Sequence, residues 1–424
     1  MQVTTLDPSR RESGHRFPLF LPDGEHFLYA ALPGRGGKFD IFAGALHDRS
    51  RVLIASLETA PVYAEPGWLV FGRHGTLAAQ RFDARALKLS GDAVTLGDEP
   101  TAILDAAVSF TAGHLASASS TGTLAYYSTA SNRTKALWLD ATGNPTTGPA
   151  LPPGRYTEVV VSPRGTRAVV VLNASASESA LFLWELERGG LTPLSKGAGL
   201  NEHPVWSPDE SRVVFSSDRD GIADLFMKEV GTDAPERPFY RSTAQFKDPV
   251  SWSSDGKWIA LTQANAQTNQ DIYLLPTFGE PTLTPYVVQP GRDEAQAVSP
   301  DSKWMLHLSE GSGSLELYLS SFPTPGHSIR LSTEGAGGQS QSWWTADQRH
   351  VLFVNPTSTS VMEVDVETGE TLRAGTPRQV ARLPPGLVTL DAMPDRRKWI
   401  ALVSEGVGPA SLTVVHNWMA ALKK

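Results

Sequence analysis

The sequence predicts an all-β chain folded as a single β-propeller of four-stranded antiparallel blades. Three observations carry this prediction. A Ser-Pro-Asp type of turn recurs every 45 to 48 residues, an apolar alternating run follows each copy, and no segment keeps a helical period.

The turn copies come first. Ser162-Pro163-Arg164-Gly165, Trp206-Ser207-Pro208-Asp209, Trp252-Ser253-Ser254-Asp255-Gly256 and Ser299-Pro300-Asp301 are the clear ones. Trp344-Thr345-Ala346-Asp347 and Met393-Pro394-Asp395 are degenerate, and Leu21-Pro22-Asp23-Gly24 lies near the start. Proline presets φ and glycine accepts a positive φ, so each copy is a tight turn. The runs around it, such as Val213-Val214-Phe215 and Trp258-Ile259-Ala260-Leu261, make the pair a β-hairpin. A third strand carries its own mark about ten residues later: Asp40-Ile41-Phe42, Asp224-Leu225-Phe226, Asp271-Ile272-Tyr273 and Glu316-Leu317-Tyr318. A more polar fourth strand ends each unit. Four strands per repeat, arranged radially, leave only short protected edges.

These repeats place one domain over residues 1–424, with blades near 9–56, 57–104, 105–155, 156–200, 201–245, 246–290, 291–335 and 336–384. A ninth blade takes 385–418 together with 1–8, so the N-terminal strand joins the last blade and closes the ring. Nine blades are expected, or eight if the divergent stretch 57–155 holds only one. Trp206, Trp252 and Trp344 are expected to pack between blades, since a large indole beside each turn suits a core position.

Composition bounds the function classes. The 424 residues carry a formal net charge of −8, without a basic run or aromatic–arginine stripe, which argues against nucleic-acid binding. Cysteine is absent, so disulfides, thiolate zinc sites and a thiol nucleophile are excluded. No run approaches the ~18 apolar residues of a membrane span, and the first residues lack a signal-peptide core. The compartment stays open on these grounds.

Six residues back from the turn proline position stand Glu202, Asp248 and Glu294, in three consecutive repeats. Glu158, His203 and Asp293 lie in the same stretches. Carboxylates at one phase are expected at one mouth of the central channel, where they bind a ligand or remain solvated beside Arg155, Lys247 and Arg292. Glu202, Asp248 and Glu294 are the candidate metal ligands, for Ca²⁺ or another divalent cation that prefers oxygen. Such an ion would polarise an ester, lactone or phosphotriester and activate water.

The turn motifs resemble the TolB-like, WD40-like (PD40) propeller repeat. Phe20-Leu-Pro-Asp-Gly-Glu-His-Phe-Leu-Tyr29, Glu65-Pro-Gly-Trp-Leu-Val-Phe71 and Thr413-Val-Val-His-Asn-Trp418 are similar to the propeller half of bacterial membrane proteins that carry a serine/threonine kinase domain in front. The chain has no kinase Gly-rich loop, Val-Ala-Ile-Lys or His-Arg-Asp, and no Gly-x-Ser-x-Gly elbow. The resemblance implies a sensor or scaffold that binds a protein, peptide or small ligand at the axial face. The competing reading is a metal-dependent hydrolase with its site in the channel. Relatives of this kind are often extracytoplasmic.

Overall fold

The computed structural model describes residues 3–10, 12–33, 38–73, 76–96, 116–128, 133–175, 178–196, 198–337, 341–369, 371–405 and 411–423. Their regular structure is β-strand apart from two 3₁₀ turns, Pro8–Arg10 and Trp418–Lys423. No helix among them is long and apolar enough to cross a membrane.

The repeated turn forms for a local reason. Ser207 Oγ donates to Asp209 Oδ1 at 2.6 Å and accepts from Arg212 N at 2.9 Å. The same relay joins Ser253 to Asp255 and Trp258, Ser299 to Asp301 and Trp304, and Thr345 to Asp347 and His350. An Asp two residues after a hydroxyl thus satisfies the hairpin's polar groups without a neighbouring strand. The bond from Ser207 and those from Ser211 hold the Asp209 carboxyl down at about 2.

Chain contacts divide the protein into two compact units. The larger, Arg133–Asn173 with Ser179–Ser404, contains six blades. Blade I combines Pro145–Thr146, Thr134–Asp140, Lys398–Ser404 and Leu387–Ala392. Blades II to V begin at Tyr156–Val161, Asn201–Trp206, Lys247–Trp252 and Gly291–Val298, and each runs through four antiparallel strands in chain order. Blade VI begins at Ser342–Trp344. Blades IV and V are also joined edge to edge by a short parallel ladder, Asn269↔Gly291 and Gln270↔Arg292.

The core of this unit lies between blades, one apolar cluster per junction. Tyr156, Trp184 and Ile400 fill I/II; Val171, Trp206 and Phe215 fill II/III; Met227, Trp252 and Leu261 fill III/IV. Ile272, Tyr286 and Met305 fill IV/V, Leu319, Trp344 and Phe353 fill V/VI, and Trp343, Leu390 and Trp399 fill VI/I. Every blade therefore buries both faces, and the succession returns on itself. The three turn tryptophans pack between blades, as their spacing predicts. Trp206 and Trp344 also donate Nε1–H to Val160 O and Ala297 O of the preceding blade, at 3.1 and 3.3 Å.

In the smaller unit, Met1–Asn132, Ala174–Glu178 and Glu405–Lys424, the described residues form three sheets. Two are consecutive four-stranded sheets, from Glu12–Phe20 to Arg51–Leu57 and from Val62–Ala64 to Lys88–Leu96. The third places Thr123–Ser128 between Ala116–Ala118 and Ser411–His416.

The strand pairing corrects the expected closure. Residues 3–7 form no strand, and Met1 and Gln2 lie outside the described residues. The final strands are completed instead by chain from the divergent stretch: Lys398–Ser404 pairs along its length with Thr134–Asp140, and Ser411–His416 with Thr123–Ser128. The stretch drawn as one blade, 105–155, is thereby shared between two sheets; residues 97–115 lie outside the described residues. The physical reason is hydrophobic matching. Ala136, Trp138, Ile400 and Leu402 share one cluster, whereas Val3 packs against the first sheet, at Phe27, Tyr29 and Phe42.

Candidate functional site

In the larger unit the first strand of each blade lies beside the first strand of the next, so these strands line its centre. Most of the candidate residues stand on them, near a bulge that the register records between Glu202 and Val205 and between Pro249 and Ser251. His203 occupies the bulge of blade III with φ of 54°, a left-handed conformation that costs energy for a residue with a Cβ.

That strain has a partner. The His203 backbone N–H points at the Glu158 carboxylate of blade II, 3.0 and 3.2 Å from its two oxygens. The imidazole lies between two carboxylates, Nδ1 3.8 Å from Glu158 Oε2 and Nε2 3.9 Å from Asp248 Oδ1 of blade IV. These are ion-pair separations, too long for hydrogen bonds. About a third of the imidazole is exposed. The bulge thus sets one basic ring between two acids from adjacent blades, at a surface that solvent reaches.

The other candidates go elsewhere. Glu294 receives Arg292 Nε at 2.5 Å. Glu202 pairs with Ser216 along its own blade's ladder. Asp293 is 1% exposed and turned into the IV/V junction, where burial raises its carboxyl above the usual range. Among the described residues, three His, Asp or Glu ligand atoms come within 4.8 Å of one another only at His350, Glu363 and Asp365 of blade VI. The candidate metal ligands Glu202, Asp248 and Glu294 are not gathered to that distance. Arg378 already binds both carboxylates of the blade VI group, reaching Glu363 with one guanidinium nitrogen and Asp365 with another at 3.1 Å.

Two further features lie outside the six candidate residues, although Asp391 stands at a related phase of its repeat. Asp391 of blade I accepts Val161 N of blade II and Trp343 Nε1 of blade VI, each at 2.7 Å, so one carboxylate ties three blades. Burial raises its pKa, and these bonds oppose the rise. The signal was faint, since Asp391 falls in the degenerate last repeat. In the smaller unit, residues 3–7 with Tyr29 and Arg49–Arg51 line a cavity of about 290 Å³. There Arg51 reaches Asp7 and Glu12 at 3.0 and 2.7 Å and stacks over Phe42.

No family model matches the chain. It is 30% identical over 112 residues to a Bacillus subtilis (strain 168) protein described as the uncharacterized peptidase YuxL. That match takes in 25% of this chain and spans only 17% of the relative. Among solved structures, a putative TolB from Agrobacterium tumefaciens superposes with a TM-score of 0.50 at 16% identity, over 64% of this chain and 98% of that one. TolB from Acinetobacter baumannii gives 0.45 at 13%, over 80% and 79% of the two chains. A putative 6-phosphogluconolactonase from Bacteroides uniformis gives 0.44 at 17%, over 68% and 96%. The first likeness bears on fold alone. In fold the protein is an all-β propeller of TolB-like type.

Proposed function

We propose that the protein is a binding module whose ligand site is the group Glu158, His203 and Asp248 at the inner strands of blades II to IV. One observation carries the reading: adjacent blades converge two carboxylates on a part-exposed imidazole at under 4 Å, and a strained bulge fixes that geometry. Two carboxylates beside one imidazole favour a ligand that brings a positive group, such as a peptide amino terminus or a lysine or arginine side chain. The segment shared with the peptidase relative supports a peptide as the ligand class.

The test is binding of a basic-peptide library to the purified chain, followed by titration calorimetry. Asp248→Asn and Glu158→Gln each weaken the selected peptide by about tenfold, the ~1.4 kcal/mol of one charge-assisted contact. Binding unchanged in both variants sinks the site assignment. Turnover of an ester or phosphotriester that a chelator abolishes sinks the binding-module reading in favour of a hydrolase.

A further inference from the structure

Three consecutive junctions in the larger unit, I/II, II/III and III/IV, carry a latch at one repeated position. The third strand of one blade offers a polar side chain to the start of the next blade. Thr134 Oγ1 donates to Tyr156 O and accepts its N–H, and Ser179 does the same for Asn201. At the III/IV junction the pair is Asp224 and Lys247. The Lys247 ammonium is fully buried and spends its three hydrogens on Asp224 Oδ1, Ala223 O and Ala244 O at 2.9 to 3.0 Å.

At the IV/V junction the same two positions hold Asp271 and Asp293. The parallel ladder Asn269↔Gly291, Gln270↔Arg292 brings both strands to these residues at the next step. Gln263 stands directly opposite Asp271 on the antiparallel ladder. Asp271 is fully buried, and Asp293 is 1% exposed.

Each carboxylate has one oxygen anchored and one left over. Asp271 Oδ2 accepts Asn265 Nδ2 and Thr268 Oγ1, both at 2.6 Å, and Asp293 Oδ1 accepts Gln289 Nε2 at 3.0 Å. Among the described residues, Asp271 Oδ1, Asp293 Oδ2 and Gln263 Oε1 are buried without a hydrogen-bond donor. A buried unpaired carboxylate oxygen is costly, and two in one junction repel each other. Burial first, and the nearby Asp271 and Glu310 charges after it, push the Asp293 carboxyl upward.

We propose that Asp271, Asp293 and Gln263 form a buried cation site in the IV/V junction, taking a hard divalent ion of the calcium type. The ion occupies the role that the Lys247 ammonium fills one junction earlier. Two carboxylates neutralise a double charge, oxygen-only donors suit calcium over softer metals, and amide and hydroxyl groups hold the outer oxygens as they do around metal ligands. This site is separate from the group at Glu158, His203 and Asp248.

The experiment uses the full chain stripped with chelator, then titrated with calcium chloride. Magnesium and sodium arms are held at matched ionic strength with tetramethylammonium chloride. Calorimetry and thermal melting are the readouts. The expected result is one calcium per chain and a melting point raised by about 3 °C at a hundredfold excess over the dissociation constant. Asp293→Asn weakens calcium at least tenfold. Asp293→Lys, which installs the neighbouring junction's ammonium, abolishes the response and melts above the stripped parent. Two results overturn the site. One is no cation-specific shift in the parent, with Asp293→Asn raising the melting point equally in every buffer, which makes the pair a shared-proton couple. The other is a calcium response that survives Asp293→Asn and vanishes in Asp248→Asn, which moves the ion to the inner strands.

Discussion

Between blades III and IV a fully buried lysine meets an aspartate and two carbonyls, while between IV and V the same two positions are both aspartate. The flanking apolar clusters are alike in kind, with Trp252 and Leu261 at one junction and Ile272 and Met305 at the next. The repeat therefore dictates that a polar group is buried at this position and leaves its charge free to vary. What must be conserved within a junction is satisfaction of that group, by a hydroxyl, an ammonium or, on our proposal, an ion.

The strongest way to break the comparison is to remove the ammonium. Lys247→Met leaves buried Asp224 with only the more distant Arg241, at 3.9 Å, and should cost about 3 kcal/mol, read as a lower denaturant midpoint at unchanged slope. Burial lowers the Lys247 pKa while Asp224 raises it, so the pair stands on geometry and not on bulk charge. The double variant Lys247→Met with Asp224→Leu should recover most of the loss. A double variant as unstable as the single one means that packing of the lysine stem, and not the charge, holds this junction.

A buried base without such a ring of acceptors behaves differently. His307 on blade V, opposite Ala295, hydrogen-bonds through Nε2 with Ser320 Oγ at 2.9 Å, and its Nδ1 is buried with no hydrogen-bond partner among the described residues. Burial holds its pKa down to about 4 from 6.5. The unfolded chain therefore binds the extra proton first, so this contribution is complete above pH 6.5 and is lost as pH falls toward 4. Between pH 7 and pH 5 the loss is about 2 kcal/mol from this residue. His307→Gln should flatten that part of the stability profile. An unchanged slope means that the imidazole titrates normally in the folded state.

Much of the fold was legible, because the turn relay is local. A hydroxyl, an aspartate two residues on and an apolar run need no tertiary information, and the tryptophans beside the turn were correctly placed between blades. Strand exchange was not legible. Nothing in Thr134–Asp140 marks Lys398–Ser404 as its partner except a shared apolar face that many strands in the chain possess. At the site, the phase argument named Glu202, Asp248 and Glu294, with Glu158 and His203 only as neighbours, whereas the structure sets Glu158, His203 and Asp248 side by side. Asp293 looks like Glu294 in sequence, yet alternation turns one into the junction and the other toward Arg292. The third-strand acids were seen as strand markers. Their role as latches needed the neighbouring blade.

The smallest effect sharpens the comparison at the turns. The position where Gly165 and Gly256 take positive φ is filled in other blades by Glu210, Ser302, Gln348 and Arg396, with φ of 56° to 62°. Three of these reach the preceding or neighbouring turn: Glu210 accepts Arg164 N and meets Arg167, Ser302 accepts Asp255 N, and Arg396 donates to Trp344 O. For Gln348 no side-chain hydrogen bond is found among the described residues. A non-glycine residue in this region costs about 1 kcal/mol, so Gln348→Gly should gain about that amount. Glu210→Gly should instead lose about 1 kcal/mol or more, since the relief of strain is smaller than two ties to charged and backbone donors. Equal gains in both variants would mean that Glu210 adds nothing to the II/III junction, and that the latches beneath the turns carry the blade contacts by themselves.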